Sequence, residues 1–289
     1  MKILSFGEIL WDCYPYKSVI GGAPLNFAAH LAKHNENVYM LSAVGNDELG
    51  TKAIDSVKNW NICADFIFIH NNKQTGRCDV TLDQNSVPCY NLLNDVAYDY
   101  IVCDKLPDEF DILYFGTLAL RSEYNRNSLK KLLNTNSFAE IFVDINIRPP
   151  YYSKDTVEFS LKNATILKIS DEELPTVCSL LNIDKISDYK AVAKVLSDRY
   201  QNLKCIIITL GAKGAFALDC ITKKEFSCDS VKTDVVSTVG AGDSFSAAFL
   251  HKYLHKTEID SCLTYASKIA GFVVLELEAV PEYDIANFQ

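Results

Sequence analysis

The sequence lacks the features by which several large classes of protein are recognised. It contains no uninterrupted apolar run of about 18 residues, the length that a membrane-spanning helix requires. Its first residues, MKILSFGEIL, are too short an apolar run and too acidic for a secretory signal peptide. Lysine and arginine form no cluster, and the formal net charge of -9 argues against a nucleic-acid-binding surface. We therefore expect a cytoplasmic protein with neither a membrane nor a nucleic acid as its partner.

Common metal and nucleotide signatures are missing as well. The ten cysteines include no CxxC pair, so we interpret them as reduced, mostly buried thiols. Two histidine pairs with helical spacing, in HLAKH (30–34) and HKYLH (251–255), lack the glutamate of an HExxH zinc motif, and we expect solvated helix faces there. No GxxxxGK[ST] segment is present, which excludes a P-loop. No GxGxxG follows the first strand, which argues against a nicotinamide enzyme.

The 289 residues, of which 48% are hydrophobic, are enough for one large α/β domain that spans residues 1–289. Short apolar runs alternate with helical patterns, and this order predicts a mostly parallel sheet covered by helices. The predicted strands are 2–7, 37–45, 111–118, 140–146, 164–170 and 204–211. The predicted helices are 24–35, 47–60, 122–134, 153–162, 171–181, 187–200, 242–254 and 258–275.

One segment interrupts this alternation. Three strand-like runs, DFIFIH (65–70), RCDVTLD (77–83) and VPCYNLL (87–93), lie too close together for helices between them, and they predict an antiparallel meander. With residues near the N-terminus they would form a small sheet, from about 8–20 and 64–100, that projects from the main domain as a lid. Such a sheet would expose apolar strand faces in a monomer, which favours a homodimer through the lid.

A turn of small residues stands at the start of a helical pattern in STVGAGDSFSAAF (237–249). Gly240, Ala241 and Gly242 leave the backbone N–H groups accessible, and at a helix N-terminus such groups form an anion site. The carboxylate of Asp243 would repel a phosphate that merely binds there. It fits a general base that takes the proton from a hydroxyl group attacking the phosphate. The residues alone leave open the alternative that Asp243 is only the N-cap of the helix.

A second turn of small residues precedes the first predicted helix, in GGAPLNF (21–27). Gly21 and Gly22 permit the close approach of a ligand, and Pro24 suits a first helical turn. Asn26 offers a donor and an acceptor to a pair of sugar hydroxyl groups. Asp12 follows the first strand, near the sheet edge where open α/β sheets bind their ligands.

Together, GGAPLNFAAHLAKHNENVYMLSAVGNDELG (21–50) and STVGAGDSFSAAF (237–249) resemble the two signatures of the ribokinase/PfkB family of carbohydrate kinases, in order and in spacing. Five segments are most similar to its fructokinase branch, namely GEILWD (7–12), GGAPLNFA (21–28), FGTLALR (115–121), DINIRPPYY (144–152) and LKISDEEL (167–174). The resemblance implies a three-layer α/β/α ribokinase-like domain with a small β-sheet lid. It also implies ATP, Mg²⁺ and the phosphorylation of a sugar hydroxyl group.

The resemblance further implies roles for individual residues. Asp243 matches the catalytic base, and the turn before it matches the anion hole, formed by Gly240, Ala241 and Gly242. Glu173 matches the residue that organises the magnesium shell, directly or through water. The positions that match sugar contacts are Asp12, Gly22 and Asn26, with Asp243 itself, and Arg148 belongs to an Asn-x-Arg element (Asn146 to Arg148) that faces either the sugar or the phosphate. The positions that match the nucleotide site are Thr209, Gly211, Gly214, Gly240 and Gly242.

Three positions depart from the family pattern. Ser170 stands where an Asn-x-x-Glu element usually has asparagine, but fructokinase-like members vary there. Ser237 stands where an aspartate usually precedes the GAGD turn, and Glu278 stands where relatives usually have glycine. That aspartate and the glycine-containing loop help to build a monovalent-cation site in many members, so such a cation is doubtful here.

The expected activity is the phosphorylation of D-fructose to fructose 6-phosphate. Two alternatives stay open at this point. One is a 2-keto-3-deoxygluconate or nucleoside kinase of the same family, and the other is a catalytically weak sugar- or nucleotide-binding homologue. The side chains expected to discriminate between substrates are Trp11, Arg77, Asp79 and Arg148.

Overall fold

The computed structural model describes residues 1–82, 88–103, 106, 110–183 and 188–288, and its elements alternate as predicted. The strands, in chain order, are β1 Lys2–Phe6, β2 Leu10–Cys13, β3 Ser18–Gly21, β4 Asn37–Gly45, β5 Ile67–His70, β6 Gly76–Leu82, β7 Pro88–Leu92, β8 Ile112–Gly116, β9 Glu140–Asp144, β10 Ile166–Ser170, β11 Cys205–Thr209, β12 Ala215–Asp219 and β13 Glu225–Cys228. The helices are α1 Ala23–Lys33, α2 Glu48–Asn59, α3 Glu123–Thr135, α4 Lys154–Asn163, α5 Leu174–Leu181, α6 Tyr189–Arg199, α7 Ala241–Leu254 and α8 Ile259–Val273.

The main sheet has the strand order β13-β12-β11-β10-β9-β8-β1-β4-β5. The strands from β11 to β5 run parallel, and β12 and β13 extend one edge as an antiparallel hairpin. The sequence analysis assigned no strand to β12 or β13. Because the other strands are parallel, all their carboxyl ends lie along one edge of the sheet, where ligands of α/β proteins bind.

Helices cover both faces of this sheet, and each face has its own apolar core. One core joins buried side chains of α1, α2, α7 and α8 to the sheet. The other core joins the opposite face to α3, α4, α5 and α6. The predicted three-layer α/β/α architecture is thus confirmed. Among the helices of the described residues, none is both long and apolar enough to cross a bilayer.

Polar side chains explain where several helices begin. Asp47 precedes α2 and accepts a hydrogen bond from the backbone N–H of Gly50 at 2.7 Å. Ser153 precedes α4 and accepts one from the N–H of Thr156 at 3.2 Å. Each cap satisfies a donor that the first helical turn leaves without an intrahelical partner, which fixes the helix start from local sequence.

The small sheet has the order β3-β2-β6-β7 and matches part of the predicted lid. The prediction for 65–70 was wrong, because β5 pairs in parallel with β4 at the edge of the main sheet, with Ser42 opposite Ile67. The helix α2 connects these two strands as a parallel crossover, and the alternating pattern of a short strand does not reveal its partner. Residues 83–87, at the end of the second predicted run and the start of the third, lie outside the described residues.

The predicted solvated face of His30 and His34 was also wrong, since the side chains are 0% and 3% exposed. His30 Nε2 donates to the Ala279 carbonyl at 2.9 Å, and His34 Nδ1 donates to the His30 carbonyl at 2.7 Å. Tyrosine hydroxyl groups satisfy the other ring nitrogens, at Tyr283 and Tyr265. Burial lowers the pKa of His30 to about 3 and that of His34 to about 4, so both rings are neutral core residues.

Candidate active site

The first turn of small residues starts α1. Gly22 is its N-cap and has a φ of 116°, and a Cβ there would lie 2.4 Å from the carbonyl oxygen of Glu8. Only glycine fits this close approach. The N–H of Asn26 donates to the Gly22 carbonyl at 2.9 Å, which places Asn26 in the first turn of the helix.

The second turn starts α7. Gly240 is its N-cap with a φ of 79°, and a Cβ there would lie 2.4 Å from the carbonyl oxygen of Ala279. Gly242 follows in the first turn, where the nearest neighbour of an added Cβ would be Lys168 Nζ at 3.3 Å. The first N–H groups of a helix have no intrahelical partner, so this turn presents donors and the positive end of the helix dipole.

The structure brings the two turns together at Asp243. Asn26 Nδ2 donates to Asp243 Oδ2 at 2.8 Å, across 217 residues of sequence. Because Gly240 is the N-cap, Asp243 is the third residue of α7 and its side chain faces Asn26 instead of capping its own helix. The alternative that Asp243 is only an N-cap is therefore wrong.

The surroundings of Asp243 favour a carboxylate that exchanges protons. Its pKa is raised from 3.8 to about 6, chiefly by desolvation and also by the charge of Asp144. The Asn26 hydrogen bond and the charges of Lys168 and Arg148 lower it. A carboxyl with a pKa near 6 is ionised at neutral pH and still accepts a proton readily.

Two more carboxyl groups share this region with Arg148. Glu8 is 3% exposed, and burial raises its pKa to about 7. Burial also raises the pKa of Asp12 on β2. Arg148 follows β9 and is exposed. Its charge lowers the pKa of Glu8, Asp12 and Asp243 alike, so its guanidinium is near all three carboxyl groups. The structure thus assembles the predicted sugar-site residues Asp12, Gly22, Asn26, Arg148 and Asp243.

The other predicted specificity residues lie on a different face. In the β2–β6 pair, Trp11 is opposite Arg77 and Cys13 is opposite Asp79, whereas Asp12 is opposite Cys78. Because side chains alternate along a strand, Trp11, Arg77 and Asp79 lie across the small sheet from Asp12. Arg77 pairs with Asp79 at 2.8 Å, between Nε and Oδ1. A sugar that contacts Asp12 is therefore on the far side of the sheet from these three side chains.

A buried ion pair beneath α7 was missed from the sequence. Lys168 Nζ on β10 lies 2.8 Å from Asp144 Oδ2 on β9, and Ser246 Oγ donates to the same oxygen at 3.2 Å. Burial lowers the pKa of Lys168, but the charges of Asp144, Glu173 and Asp243 together with the Asp144 hydrogen bond outweigh it and leave the pKa above its ordinary value. A permanent positive charge therefore stands behind Gly242. The available signal was a lysine inside the apolar strand pattern ATILKIS (164–170).

Glu173 lies at the carboxyl ends of β9 and β10. Its Oε1 accepts from the N–H of Ile147 at 2.5 Å, and its Oε2 accepts from the N–H of Ser170 at 2.8 Å. Glu173 therefore ties the segments that follow these two strands to each other. A carboxylate oxygen has more than one acceptor direction, so these bonds leave room for an ordered water at each oxygen.

The predicted nucleotide residues occupy the neighbouring stretch of the sheet edge. Thr209 ends β11, and Gly211 and Gly214 have φ values of 55° and 94° in the turn toward β12. Ser230 Oγ donates to the Ala212 carbonyl at 2.5 Å, so the 229–239 loop lies against this turn. That loop and the 275–278 segment expose apolar side chains, namely Val231, Val235, Val236, Val239, Leu275 and Leu277.

The two positions that depart from the cation-site pattern also lie here. The N–H of Ser237 donates to the Val274 carbonyl at 3.2 Å, and Ser237 Oγ accepts from the N–H of Val239 at 3.2 Å. The side chain of Glu278 is exposed. The Ser237 hydroxyl thus forms a hydrogen bond within its own loop.

Comparison with known proteins gives the family of the chain. A family model described as "pfkB family carbohydrate kinase" matches residues 3–284. The chain is 29% identical over 279 aligned positions to the probable fructokinase-4 of Arabidopsis thaliana, covering 86% of this chain and 81% of that protein. It is 28% identical over 273 positions to the fructokinase of Solanum tuberosum, covering 86% and 80%.

Two solved structures share the fold over nearly their whole length. An uncharacterised sugar kinase of Pyrococcus horikoshii in complex with ATP superposes with a TM-score of 0.80 and 24% identity, covering 99% of both chains. The aminoimidazole riboside kinase of Salmonella enterica, complexed with aminoimidazole riboside and an ATP analogue, superposes with a TM-score of 0.82 and 20% identity. This match covers 100% of the present chain and 99% of the other. The predicted ribokinase-like fold is confirmed.

Proposed function

We propose that this chain, which belongs to the PfkB family of carbohydrate kinases, phosphorylates D-fructose to fructose 6-phosphate with ATP. Phosphorylation of a sugar is the activity of the family, and fructose is the proposed substrate. The contact between Asn26 and Asp243 carries the proposal for the chemistry, because it unites a sugar-binding turn with a phosphate-binding turn. The plant relatives named fructokinase, matched over most of their length, support the choice of sugar.

Asp243 would act as the general base. One oxygen of its carboxylate accepts from Asn26, which fixes the side chain and leaves the other oxygen for the substrate. The proton of the sugar hydroxyl passes to Asp243 while the hydroxyl oxygen bonds to the γ-phosphorus of ATP. The bond from that phosphorus to the bridging oxygen breaks, and ADP leaves with the electron pair.

The first turn of α7 would stabilise the moving phosphoryl group. The N–H of Ala241 donates to the Thr238 carbonyl at 3.3 Å, so the N–H groups of Gly240 and Gly242 would face the developing negative charge, and the helix dipole adds to their effect. Lys168 lies behind Gly242 and supplies a fixed positive charge. This turn therefore has both the donors and the electrostatics of an anion hole.

Glu173 fits a magnesium shell that is organised through water. Both of its oxygens accept backbone N–H groups, so the carboxylate would orient ordered waters instead of binding the ion directly. Magnesium, when bound, offsets the charge on the phosphate groups. Without the ion, the hydrogen bonds of Glu173 hold the segments at the ends of β9 and β10 in place.

The adenine and ribose of ATP would lie along the turn that contains Gly211 and Gly214. The exposed apolar side chains of the 229–239 loop and the 275–278 segment border this turn and suit the faces of a purine. Thr209, at the end of β11, begins this edge. Its carbonyl accepts from the N–H of Asp171, the residue that follows β10, at 2.9 Å.

A substrate panel tests the proposal. The purified protein would receive ATP, Mg²⁺ and one acceptor at a time, and ADP release would give kcat/KM for fructose, ribose, 2-keto-3-deoxygluconate, adenosine, inosine and aminoimidazole riboside. We expect fructose to exceed every other acceptor by at least about tenfold, a margin that a few pocket contacts can supply. The D243N variant is the matched control for contaminating kinases.

Each outcome separates the alternatives. A different acceptor that reacts tenfold better than fructose would replace the proposed sugar and leave the kinase assignment in place. Retained ATP binding without turnover on any acceptor would support the catalytically weak homologue instead.

A further inference from the structure

The described residues hold a second group of chemically active side chains, far from Asp243. Glu36, His251 and His255 each direct one ligand atom into a common space, and these three atoms lie within 4.8 Å of one another. We propose that Glu36, His251 and His255 form a binding site for a transition-metal ion, best suited to Zn²⁺, at the far ends of α1 and α7.

The distances suit an ion after small side-chain movements. Glu36 Oε1 lies 2.7 Å from His251 Nδ1 and 3.0 Å from His255 Nε2. Around a tetrahedral Zn²⁺ with bonds of about 2.0–2.1 Å, neighbouring ligand atoms are about 3.3 Å apart. The two Glu36–histidine distances therefore need to open by a few tenths of an ångström, and the two histidine nitrogens, which lie within 4.8 Å of each other, need to come to about 3.3 Å. The proton that each ring now directs at Glu36 would move to the other ring nitrogen or be released.

The backbone already holds the ligands in position. His251 and His255 are one turn apart near the end of α7, which puts both rings on one face of the helix. Glu36 follows the end of α1, where its N–H donates to the Leu31 carbonyl at 3.2 Å and Asn35 is left-handed with a φ of 60°. This is the hydrogen-bonded turn that closes many helices, so the Glu36 backbone is fixed.

The local charges also favour a cation. The C-terminal end of α7 is the negative end of the helix dipole. The Glu36 carboxylate lies between the two histidine rings and brings a negative charge to the place of the ion. The side chain of His255 is 61% exposed, which gives an ion a path from solvent and leaves a coordination position for water.

Such an ion would join the ends of two helices whose starts carry the candidate active site. His251 lies two turns beyond Asp243 on α7, about 12 Å along the axis. Asn26 lies in the first turn of α1, and Glu36 follows the end of the same helix by three residues. A metal ion here would stabilise the packing of α1 against α7 without contact to the reacting groups.

Zinc binding by the metal-free full-length protein tests the site. Equilibrium dialysis with Zn²⁺ would be combined with thermal unfolding at several Zn²⁺ concentrations. We expect one Zn²⁺ per chain in the parent and a melting temperature that rises with Zn²⁺, because an ion that binds only the folded state stabilises it. H255A is the main variant, since the exposed ring can be removed without disturbing the core, and E36Q is the second.

We expect both variants to lose at least about tenfold in Zn²⁺ affinity and to lose the rise in melting temperature. The control is H70A, because His70 lies elsewhere, in β5, with its Nε2 at 2.9 Å from the Tyr100 carbonyl. Co²⁺ substitution adds a spectroscopic check, since cysteine ligands would give a thiolate-to-cobalt charge-transfer band. Three results would each overturn the proposal. They are no Zn²⁺ binding by the parent, a Zn²⁺ affinity in H255A and E36Q equal to that of the parent, and a thiolate-to-cobalt band.

Discussion

At the residue scale, the position of Asp243 within α7 determines what its carboxylate does. The side chain caps nothing and contacts Asn26, so D243N keeps the contact while it removes the proton acceptor. General-base catalysis contributes about 10²–10⁴-fold, and we expect turnover to fall by at least that lower factor while ATP binding is retained. Steady-state ADP release and ATP titration would measure the two effects.

The same variant should not lose stability at neutral pH. Because the folded-state pKa of Asp243 is raised from 3.8 to about 6, its ionisation costs stability as the pH rises through that interval. The neutral amide avoids this cost, so the melting temperature of D243N at pH 7 should equal or exceed that of the parent. D260N, at an exposed first-turn position of α8, is the matched control.

Turnover of D243N within tenfold of the parent would contradict the catalytic role.

The pH dependence of turnover is a separate test of the same carboxyl group. A general base works only when it is deprotonated, so kcat should rise with pH through about 6 and then level off. Glu8 has a pKa of about 7, so it is mostly neutral where Asp243 titrates, and E8Q should leave the rise near pH 6. The measurement is kcat at saturating sugar and ATP in buffers of constant ionic strength. A profile that is flat between pH 5 and 7, an interval about the pKa near 6, would contradict the assignment.

The sequence predicted the residues of this site better than their electrostatics. Asp243, Asn26 and the glycines stand in short motifs whose chemistry can be read locally. Lys168 and Asp144 belong to two different strands, and their pairing depends on the register of β9 and β10. The exposed face assigned to His30 and His34 failed for a related reason. Helical spacing places two side chains on one face, but it does not say what that face packs against.

At the scale of the element, the two glycines that begin α7 should respond differently to alanine. In G240A the Cβ would meet the Ala279 backbone and φ is 79°, so we expect a loss of about 1–2 kcal/mol or more and a melting temperature lower by several degrees. In G242A the Cβ meets only Lys168 Nζ and helix propensity improves, so stability should be retained.

Turnover should nevertheless fall at least about tenfold in G242A, since the methyl group would crowd Lys168 Nζ and displace the positive charge behind the anion hole. Thermal unfolding and ADP release on the same preparations would separate stability from activity. Normal turnover in a stably folded G242A would contradict the anion-hole assignment.

Element boundaries followed from the sequence where the signal is local, as at the caps Asp47 and Ser153. Strand partners did not. The run around Ile67–His70 has the same alternating pattern whether it belongs to the small sheet or to the main one, and the connection through α2 decides between them. This reassignment limits the predicted lid to the four-stranded sheet of β2, β3, β6 and β7.

At the scale of the whole molecule, the small sheet is predicted to close over bound sugar, and its dimerisation stays a prediction. Asp12 lies on β2 and Arg148 on the main domain, so a sugar between them would join the two sheets. Amides of β2, β3 and β6 should then exchange more slowly with saturating fructose, and more so than with ATP alone. Hydrogen exchange followed by mass spectrometry would measure this. The strand β5 is an internal control, because it pairs with β4 in the main sheet and should gain no protection of its own. Equal protection of β5 and β6 would indicate a general stabilisation instead of lid closure, and unchanged exchange in β2, β3 and β6 with a sugar that is turned over would contradict the lid.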